Sequence, residues 1–270
     1  MRAYGFIGAG NMAAALIKGL LAKQVCTPGE IIAGDVAPER RTLLASEYGI
    51  AVTESNVEVA HGAKCLVLAI KPQTLPAVAP ELRSAVREGQ TVISILAGVR
   101  TAVLREGLGG HTRVVRAMPN LPATLGKGVS GIAESEGTPT EALVEAEALL
   151  GTVGATVRLP EKLLDAVTAV SGSGPGYVFR IADILIRAGV EAGLSAEQAD
   201  LLVRQTLLGA AEMLAASPET AEALCRKVCS PGGTTLAGLE AMEKAGLEAA
   251  LIAGVLAARE RSRELSGGAS

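Results

Sequence analysis

Tryptophan is absent from this chain, and aromatic residues make up only 2% of it. Since 49% of the residues are hydrophobic and 32 are glycine, the interior has to be built from small aliphatic side chains and closely packed helices. Histidine occurs only at His61 and His111, and cysteine only at Cys26, Cys65, Cys225 and Cys229. The cysteines form no paired Cys-x-x-Cys motif, and a chain of 270 residues needs no disulfide staples, so they point to a reducing cytoplasm. Cys225 and Cys229 share a helix face at i, i+4, but both histidines lie far away in sequence, which favours packing over a metal site. Long apolar runs are also lacking. The longest near the C-terminus, Ala249 to Ala258, falls far short of a membrane span, and Asn11 interrupts the only stretch that could mimic an export signal. There is no excess of positive charge: 25 Lys and Arg stand against 28 Asp and Glu, a net charge of −3. No basic cluster interleaves with aromatics, so neither nucleic acid nor an anionic membrane is a natural partner. The expectation is a soluble, cytoplasmic protein acting on small molecules.

The richest local signal lies at the start. Gly8-Ala9-Gly10-Asn11-Met12-Ala13 follows the apolar run Tyr4-Gly5-Phe6-Ile7 and precedes a helix-like run to Lys23. Read as strand, glycine turn and helix, these residues suit a dinucleotide. Gly8 permits the turn, Gly10 lets a pyrophosphate approach the backbone, and Ala13 lets the helix pack on the strand, with the helix N-terminus facing the phosphates. Asp35 closes the next apolar run, Glu30 to Gly34, at the spacing where a carboxylate reads a ribose. The competing reading is an alanine-rich packed helix after an ordinary turn.

At 270 residues two domains are expected. Up to residue 160, short apolar runs alternate with helical ones: Ile31-Ile32-Ala33, Cys65 to Ile70, Thr91 to Ile95, Arg113 to Met118, Gly128 to Ile132 and Ala155 to Leu159 read as strands, and Pro38 to Tyr48 and Thr140 to Leu150 as helices. This predicts an α/β, doubly wound sheet over residues 1–160. From Glu161 onward helical periodicity takes over, broken at Ser171-Gly172-Ser173-Gly174-Pro175, Gly193-Leu194-Ser195, Ser217-Pro218 and Ser230-Pro231-Gly232-Gly233. Residues 161–270 read as an all-helical domain. Its helices from Tyr177 to Ala192 and from Leu247 to Leu265 are apolar around much of their circumference, which an intertwined dimer would bury.

Ligands of open α/β sheets bind beyond the carboxyl ends of the strands. Ala69-Ile70-Lys71-Pro72 would put a cation beside the glycine loop, although a solvated lysine at a strand stop reads equally well. Ile95-Leu96-Ala97-Gly98 is small enough to let a nicotinamide ribose lie on backbone. Asn120, after Met118-Pro119, could orient a ring substituent or simply cap its own turn. In the helical half, Ser230 reads as an N-cap and Pro231 as a first helical residue, with Gly232 and Gly233 leaving first-turn N–H groups unshielded for a small carboxylate and Thr235 within reach of the same ligand. A loosely specified turn is the alternative. No His, Cys or carboxylate cluster supplies a general acid. That suits reduction of a protonated imine, whose product is a neutral amine needing only hydride and one hydrogen bond to nitrogen.

With these motifs the chain resembles the pyrroline-5-carboxylate reductase family. The likeness runs through Gly5 to Met12, Ala69 to Pro72, Arg116 to Asn120, Asp165 to Pro175 and Val228 to Thr235, the last two being the most specific. The resemblance implies an N-terminal Rossmann-type domain, a C-terminal helical dimerisation domain with an active site shared between subunits, and dimers that often assemble further into larger rings. It implies reduction of 1-pyrroline-5-carboxylate to L-proline by NADH or NADPH, the last step of proline biosynthesis. By position, Thr235 would hydrogen-bond the ring nitrogen, Ser230, Gly232 and Gly233 would hold the carboxylate, Thr234 would join them in binding the substrate, and Asn56, Ala69, Lys71, Pro72 and Ala97 would line the cofactor with the glycine loop Gly8, Ala9, Gly10, Asn11 and Met12. Leu121 and Gly176 depart from the family's usual threonine and alanine without removing a chemical group. Asp35 leans the cofactor reading towards NADH, whereas Arg40 or Arg41 could clamp a 2′-phosphate. Two rivals stand beside it: a β-hydroxyacid dehydrogenase, whose second-domain lysine has no counterpart between Leu163 and Gly193, and a non-catalytic nicotinamide-nucleotide sensor, which would need no carboxylate pocket.

Overall fold

The computed structural model describes residues 1–267. The first half alternates β1 (Arg2–Ile7), α1 (Asn11–Ala22), β2 (Ile31–Gly34), α2 (Pro38–Tyr48), β3 (Ala51–Thr53), α3 (Asn56–Gly62), β4 (Ala63–Leu68), α4 (Leu75–Ala85), β5 (Thr91–Ser94), α5 (Thr101–Gly107), β6 (Val114–Met118), β7 (Gly128–Glu134), α6 (Thr140–Leu150) and β8 (Gly154–Pro160). Hydrogen bonding orders the strands β3-β2-β1-β4-β5-β6-β7-β8 in one sheet of eight. All neighbours are parallel except β6 and β7. The chain builds outward from β1 to β3 and then crosses back to β4 on the other side of β1, so the topological switch point lies between β1 and β4.

The central strands are apolar on both faces because helices cover both. Phe6, Val67 and Ile93 face a cluster with Leu16, Ile17 and Leu20 of α1 and Leu149 of α6. Ile7, Leu66 and Leu68 face Val59 of α3, Leu82 of α4 and Leu104 of α5. Full burial of each such side chain contributes about 1.5–3 kcal/mol, so a shift of β1 by one residue against β4, where Phe6 pairs with Val67, would misplace every large residue at once.

The structure departs from the local sequence pattern at several places. β3 was not anticipated, because three residues carry no periodicity. The strand expected over Cys65 to Ile70 runs instead from Ala63 to Leu68; β1 ends at Ile7 and leaves Ile70 with nothing to pair against. The break expected at Ser171 to Pro175 is a wide π turn over Thr168–Gly172 that leads directly into a helix, since Pro175 sits in the first turn, where its missing N–H costs nothing.

The second half comprises α7 (Leu164–Val167), α8 (Gly174–Glu191), α9 (Ala196–Ala216), α10 (Ala221–Lys227), α11 (Thr234–Lys244) and α12 (Leu247–Leu265). By packing, Met1–Ser173 with the stretch from Ala258 onward makes one compact unit and Gly174–Ala257 another. Within the second unit α8 and α9 pair through Gly189 against Ala199, and Ser195 and Gln198 close a capping box at the start of α9. Ala199 is the one fully buried residue among the described residues of this unit. Phe179, Leu201, Met213 and Ile252 stand 62%, 68%, 60% and 53% exposed. α10 ends at Lys227, so Cys229 falls beyond it and does not share a helix face with Cys225 as expected. No helix among the described residues is long and apolar enough to cross a membrane.

Candidate active site

At the end of β1 the chain must turn off the sheet before entering α1. Gly8 does so at a φ of +100°, and its N–H donates to the Gly34 carbonyl at 2.7 Å. A β-carbon there would lie 2.7 Å from the Ala69 carbonyl oxygen, so both the conformation and the space demand glycine. Gly10 is the N-cap of α1 and carries no capping side chain. The first helical bond runs from the Ala14 N–H to the Gly10 carbonyl at 3.0 Å, which leaves the N–H groups of Asn11, Met12 and Ala13 without helical acceptors. Nothing lies within 4 Å of the place a β-carbon on Gly10 would occupy. Free donors, the positive end of a helix and open space above Gly10 are what a pyrophosphate requires, so the loop fits a dinucleotide.

Asp35, just past β2, is built into this loop. Its Oδ2 accepts the Ala9 N–H at 2.8 Å and its Oδ1 accepts the Ala37 N–H at 3.0 Å. Each carboxylate oxygen keeps a further lone pair for a ligand hydroxyl. The two arginines behind it part company. Arg41 donates through Nη1 to the carbonyls of Asp35 and Val36, at 2.7 and 3.1 Å, and so is tied to the backbone. Arg40 reaches Asn11 Oδ1 at 3.4 Å, at the rim of the glycine loop.

The other strand ends add the remaining candidates. Ala69 extends the β1–β4 ladder by one bond, its N–H to the Ile7 carbonyl at 2.8 Å. Lys71 follows, exposed, at the head of the short turn Pro72–Thr74. Asn56 opens α3, its Oδ1 beside Gly34 and its Nδ2 donating to Glu81 Oε1 at 2.7 Å. Ala97 is exposed in the loop between β5 and α5. Asn120 has a different setting. It is buried, its Oδ1 accepts the Val129 N–H at 2.9 Å, and its Nδ2 donates to the Ser171 carbonyl at 3.1 Å. It therefore ties β6 to the start of β7 and to the π turn, rather than capping its own turn, and keeps one N–H uncommitted.

In the second unit the local structure differs from the expectation that Ser230 caps a helix opening at Pro231. The Gly233 N–H donates to the Ser230 carbonyl at 2.9 Å and Gly232 has a φ of +69°, the signature of a type II turn with proline second and glycine third. The helix begins only at Thr234, with Gly233 as its N-cap, because the left-handed Gly232 cannot continue from Pro231 as helix. The Ser230 hydroxyl fills the space a β-carbon on Gly233 would need. As in α1, no side chain caps α11. Its first helical bond runs from the Ala237 N–H to the Gly233 carbonyl at 3.2 Å, so the N–H groups of Thr234, Thr235 and Leu236 have no helical acceptor. Thr235 is exposed beside them.

One half-buried polar knot gave no signal in the sequence. Glu161 Oε1 accepts the Thr101 N–H at 2.7 Å and an Arg116 Nη1 hydrogen at 3.4 Å, while Oε2 accepts the Ser135 hydroxyl at 2.9 Å. Burial pushes the Glu161 carboxyl up, but the Thr101 N–H and hydroxyl, the Ser135 hydroxyl and the Arg116 guanidinium outweigh it and hold the carboxyl below its usual range. Its partners lie 60, 45 and 26 residues away, beyond any local pattern.

A glycine loop at the switch point of a largely parallel sheet, followed by a helical region, defines the class as a Rossmann-type dinucleotide-binding protein. A family profile described as pyrroline-5-carboxylate reductase dimerisation matches residues 161–265, and one described as NADP oxidoreductase, coenzyme F420-dependent, matches residues 3–98. A pyrroline-5-carboxylate reductase from Synechocystis sp. is 42% identical over 261 residues, which cover 97% of this chain and 97% of that protein. The structure of a pyrroline-5-carboxylate reductase from Coxiella burnetii matches with a TM-score of 0.92 and 34% identity over 98% of each chain. A Plasmodium falciparum pyrroline carboxylate reductase with NADP bound matches with a TM-score of 0.84 and 29% identity, again over 98% of each chain. The chain belongs to the pyrroline-5-carboxylate reductase family. With a dimerisation region and apolar helices left uncovered in a single copy, it self-associates.

Proposed function

We propose that the chain reduces 1-pyrroline-5-carboxylate to L-proline with a nicotinamide dinucleotide, the last step of proline biosynthesis. The observation that carries this reading is the start of α11, where the N–H groups of Thr234, Thr235 and Leu236 have no helical acceptor and no side chain caps them. Such a start suits a small carboxylate, held by Ser230, Gly232, Gly233 and Thr234. The Thr235 hydroxyl then hydrogen-bonds the ring nitrogen. The dinucleotide, when bound, supplies a hydride. The protonated cyclic imine accepts that hydride at the imine carbon, and the C=N electron pair moves to nitrogen, giving a neutral amine. The nitrogen already carries its proton, so no general acid is required there and a substrate turn without histidine or carboxylate is sufficient. A non-catalytic sensor would have no use for the carboxylate turn.

Residues 1–160 serve as the dinucleotide-binding domain and residues 161–270 as the dimerisation and substrate domain. The N–H groups of Asn11 and Met12 hold the pyrophosphate, with Asn56, Ala69, Lys71, Pro72 and Ala97 along the rest of the cofactor. Asn120 acts there as a positioning residue through its hold on β7. Asp35 accepts the ribose hydroxyls and favours NADH slightly, while Arg40, rather than the backbone-bound Arg41, offers the competing site for a 2′-phosphate. Dimers can assemble further into a ring, and the four free cysteines suit a cytoplasmic location. The deciding experiment follows nucleotide absorbance on adding 1-pyrroline-5-carboxylate. Oxidation matched by L-proline formation is expected, and a folded dimer that binds nucleotide without turnover would sink the proposal.

A further inference from the structure

The loop between β5 and α5 carries Ala97 to the nucleotide side of the sheet, yet its two ends are held by different means. At one end the Ile95 N–H still donates to the Leu68 carbonyl at 3.1 Å. At the other, the Thr101 N–H is fixed by Glu161 at 2.7 Å. Between them Gly98, at a φ of +75°, meets the far end of the chain: a β-carbon on it would lie 3.3 Å from the Leu265 carbonyl oxygen and 3.6 Å from the Leu265 β-carbon. Leu265 is the last residue of α12.

That helix end is itself anchored. The buried Ser262 donates its hydroxyl to Asp165 Oδ1 at 2.6 Å across 97 residues of sequence. Ser266 reaches the same oxygen at 3.4 Å and donates to the Ser262 carbonyl at 2.8 Å. Asp165 sits in α7, directly after Leu164, which is buried against Ala133 and Leu159 of the sheet unit. A hydrogen bond to an ionised carboxylate is stronger than a neutral one, so Ser262 on Asp165 is a firm attachment, and Leu265 lies within one helical turn of it.

We propose that the C-terminal turn is a positioning element for the nicotinamide dinucleotide: Ser262, anchored on Asp165, holds the Leu265 backbone against Gly98 and thereby sets the height of the Ala97-Gly98 backbone on which the cofactor rests. The inference depends on the assignment of Ala97 to the nucleotide site. Ser262 and Leu265 do not touch the cofactor; they act through Gly98. Loss of the anchor lets the loop sample more conformations, and binding then has to order it again.

The test titrates NADH and NADPH into the full-length protein by fluorescence and measures KM for each nucleotide and for 1-pyrroline-5-carboxylate. Ala97→Val examines the site itself; Ser262→Ala and a chain ended at Glu264 examine the anchor. Both anchor variants should raise nucleotide Kd and KM about fivefold, the scale of one hydrogen bond acting at one remove, with the imine KM unchanged and the melting temperature lowered only by the few degrees that the loss of one such bond costs. A general loss of stability would move all of these together and would overturn the proposal. If Ala97→Val weakens nucleotide binding and neither anchor variant does, the C-terminal turn has no positioning role although the site assignment stands. If Ala97→Val leaves nucleotide binding unchanged, the assignment of Ala97 fails and the proposal with it. Because Kd is read by titration, the result is independent of whether the imine is turned over.

Discussion

Asp35 and Ala9, 26 residues apart, are joined by a 2.8 Å hydrogen bond from the Ala9 N–H to Asp35 Oδ2. The carboxylate proposed to read the ribose is thus also a strut of the glycine loop proposed to hold the pyrophosphate. Asp35→Ser is expected to lower kcat/KM with both nucleotides, by about tenfold for the lost charged hydrogen bond, and to lower it further for NADH than for NADPH. Arg40→Ala should leave NADH kinetics near wild type and reduce kcat/KM with NADPH. A wild type that already prefers NADPH, and in which Asp35→Ser affects neither nucleotide, would show the carboxylate to be a bystander.

Thr235→Ala should slow hydride transfer by about tenfold to a hundredfold, the scale of one lost transition-state hydrogen bond, with nucleotide Kd near normal. Single-turnover kinetics read this directly. An unchanged kcat/KM would remove Thr235 from the mechanism.

The second unit hides only Ala199 completely and leaves large apolar residues of α8, α9 and α12 uncovered in a single copy. Stability then depends on subunit concentration. Dilution followed by sedimentation velocity should show loss of folded structure together with dissociation, and a folded, active monomer would contradict an intertwined dimer.

The Glu161 carboxyl is held below its usual range, so its ionised form favours the folded state. Its contribution is fully present above the ordinary glutamate pKa of about 4.3 and is lost as pH falls through the lower folded value. Melting temperature measured from pH 7 downward should therefore fall more steeply below about pH 4.3 for the wild type than for Glu161→Gln. Glu161→Gln should also be less stable at pH 7, because a neutral amide leaves Arg116 buried without its counter-charge. Parallel curves for the two proteins would exclude this group as the source of acid sensitivity.

Much of this architecture is written in local sequence. The apolar runs of β1, β4 and β5, the Pro38 start of α2 and the glycine turn at Gly8 are legible because strand burial, helix entry and positive φ each impose a rule on residues close together in the chain. The turn at Ser230 to Gly233 was legible as a break in the helical pattern but not in its geometry. A Ser-Pro pair satisfies the rule for a helix start, and only the left-handed Gly232 postpones the helix to Thr234. Tertiary structure alone decided the rest: that Asp35 braces the glycine loop, that Asn120 joins β6 to β7, that Glu161 gathers Thr101, Arg116 and Ser135, and that Ser262 is tied to Asp165. Each of these pairs a polar group with a partner brought near by sheet order or by the return of the last helix. Periodicity and turn chemistry act over a few residues, whereas a buried polar group takes whichever partner the packed fold puts within hydrogen-bonding distance.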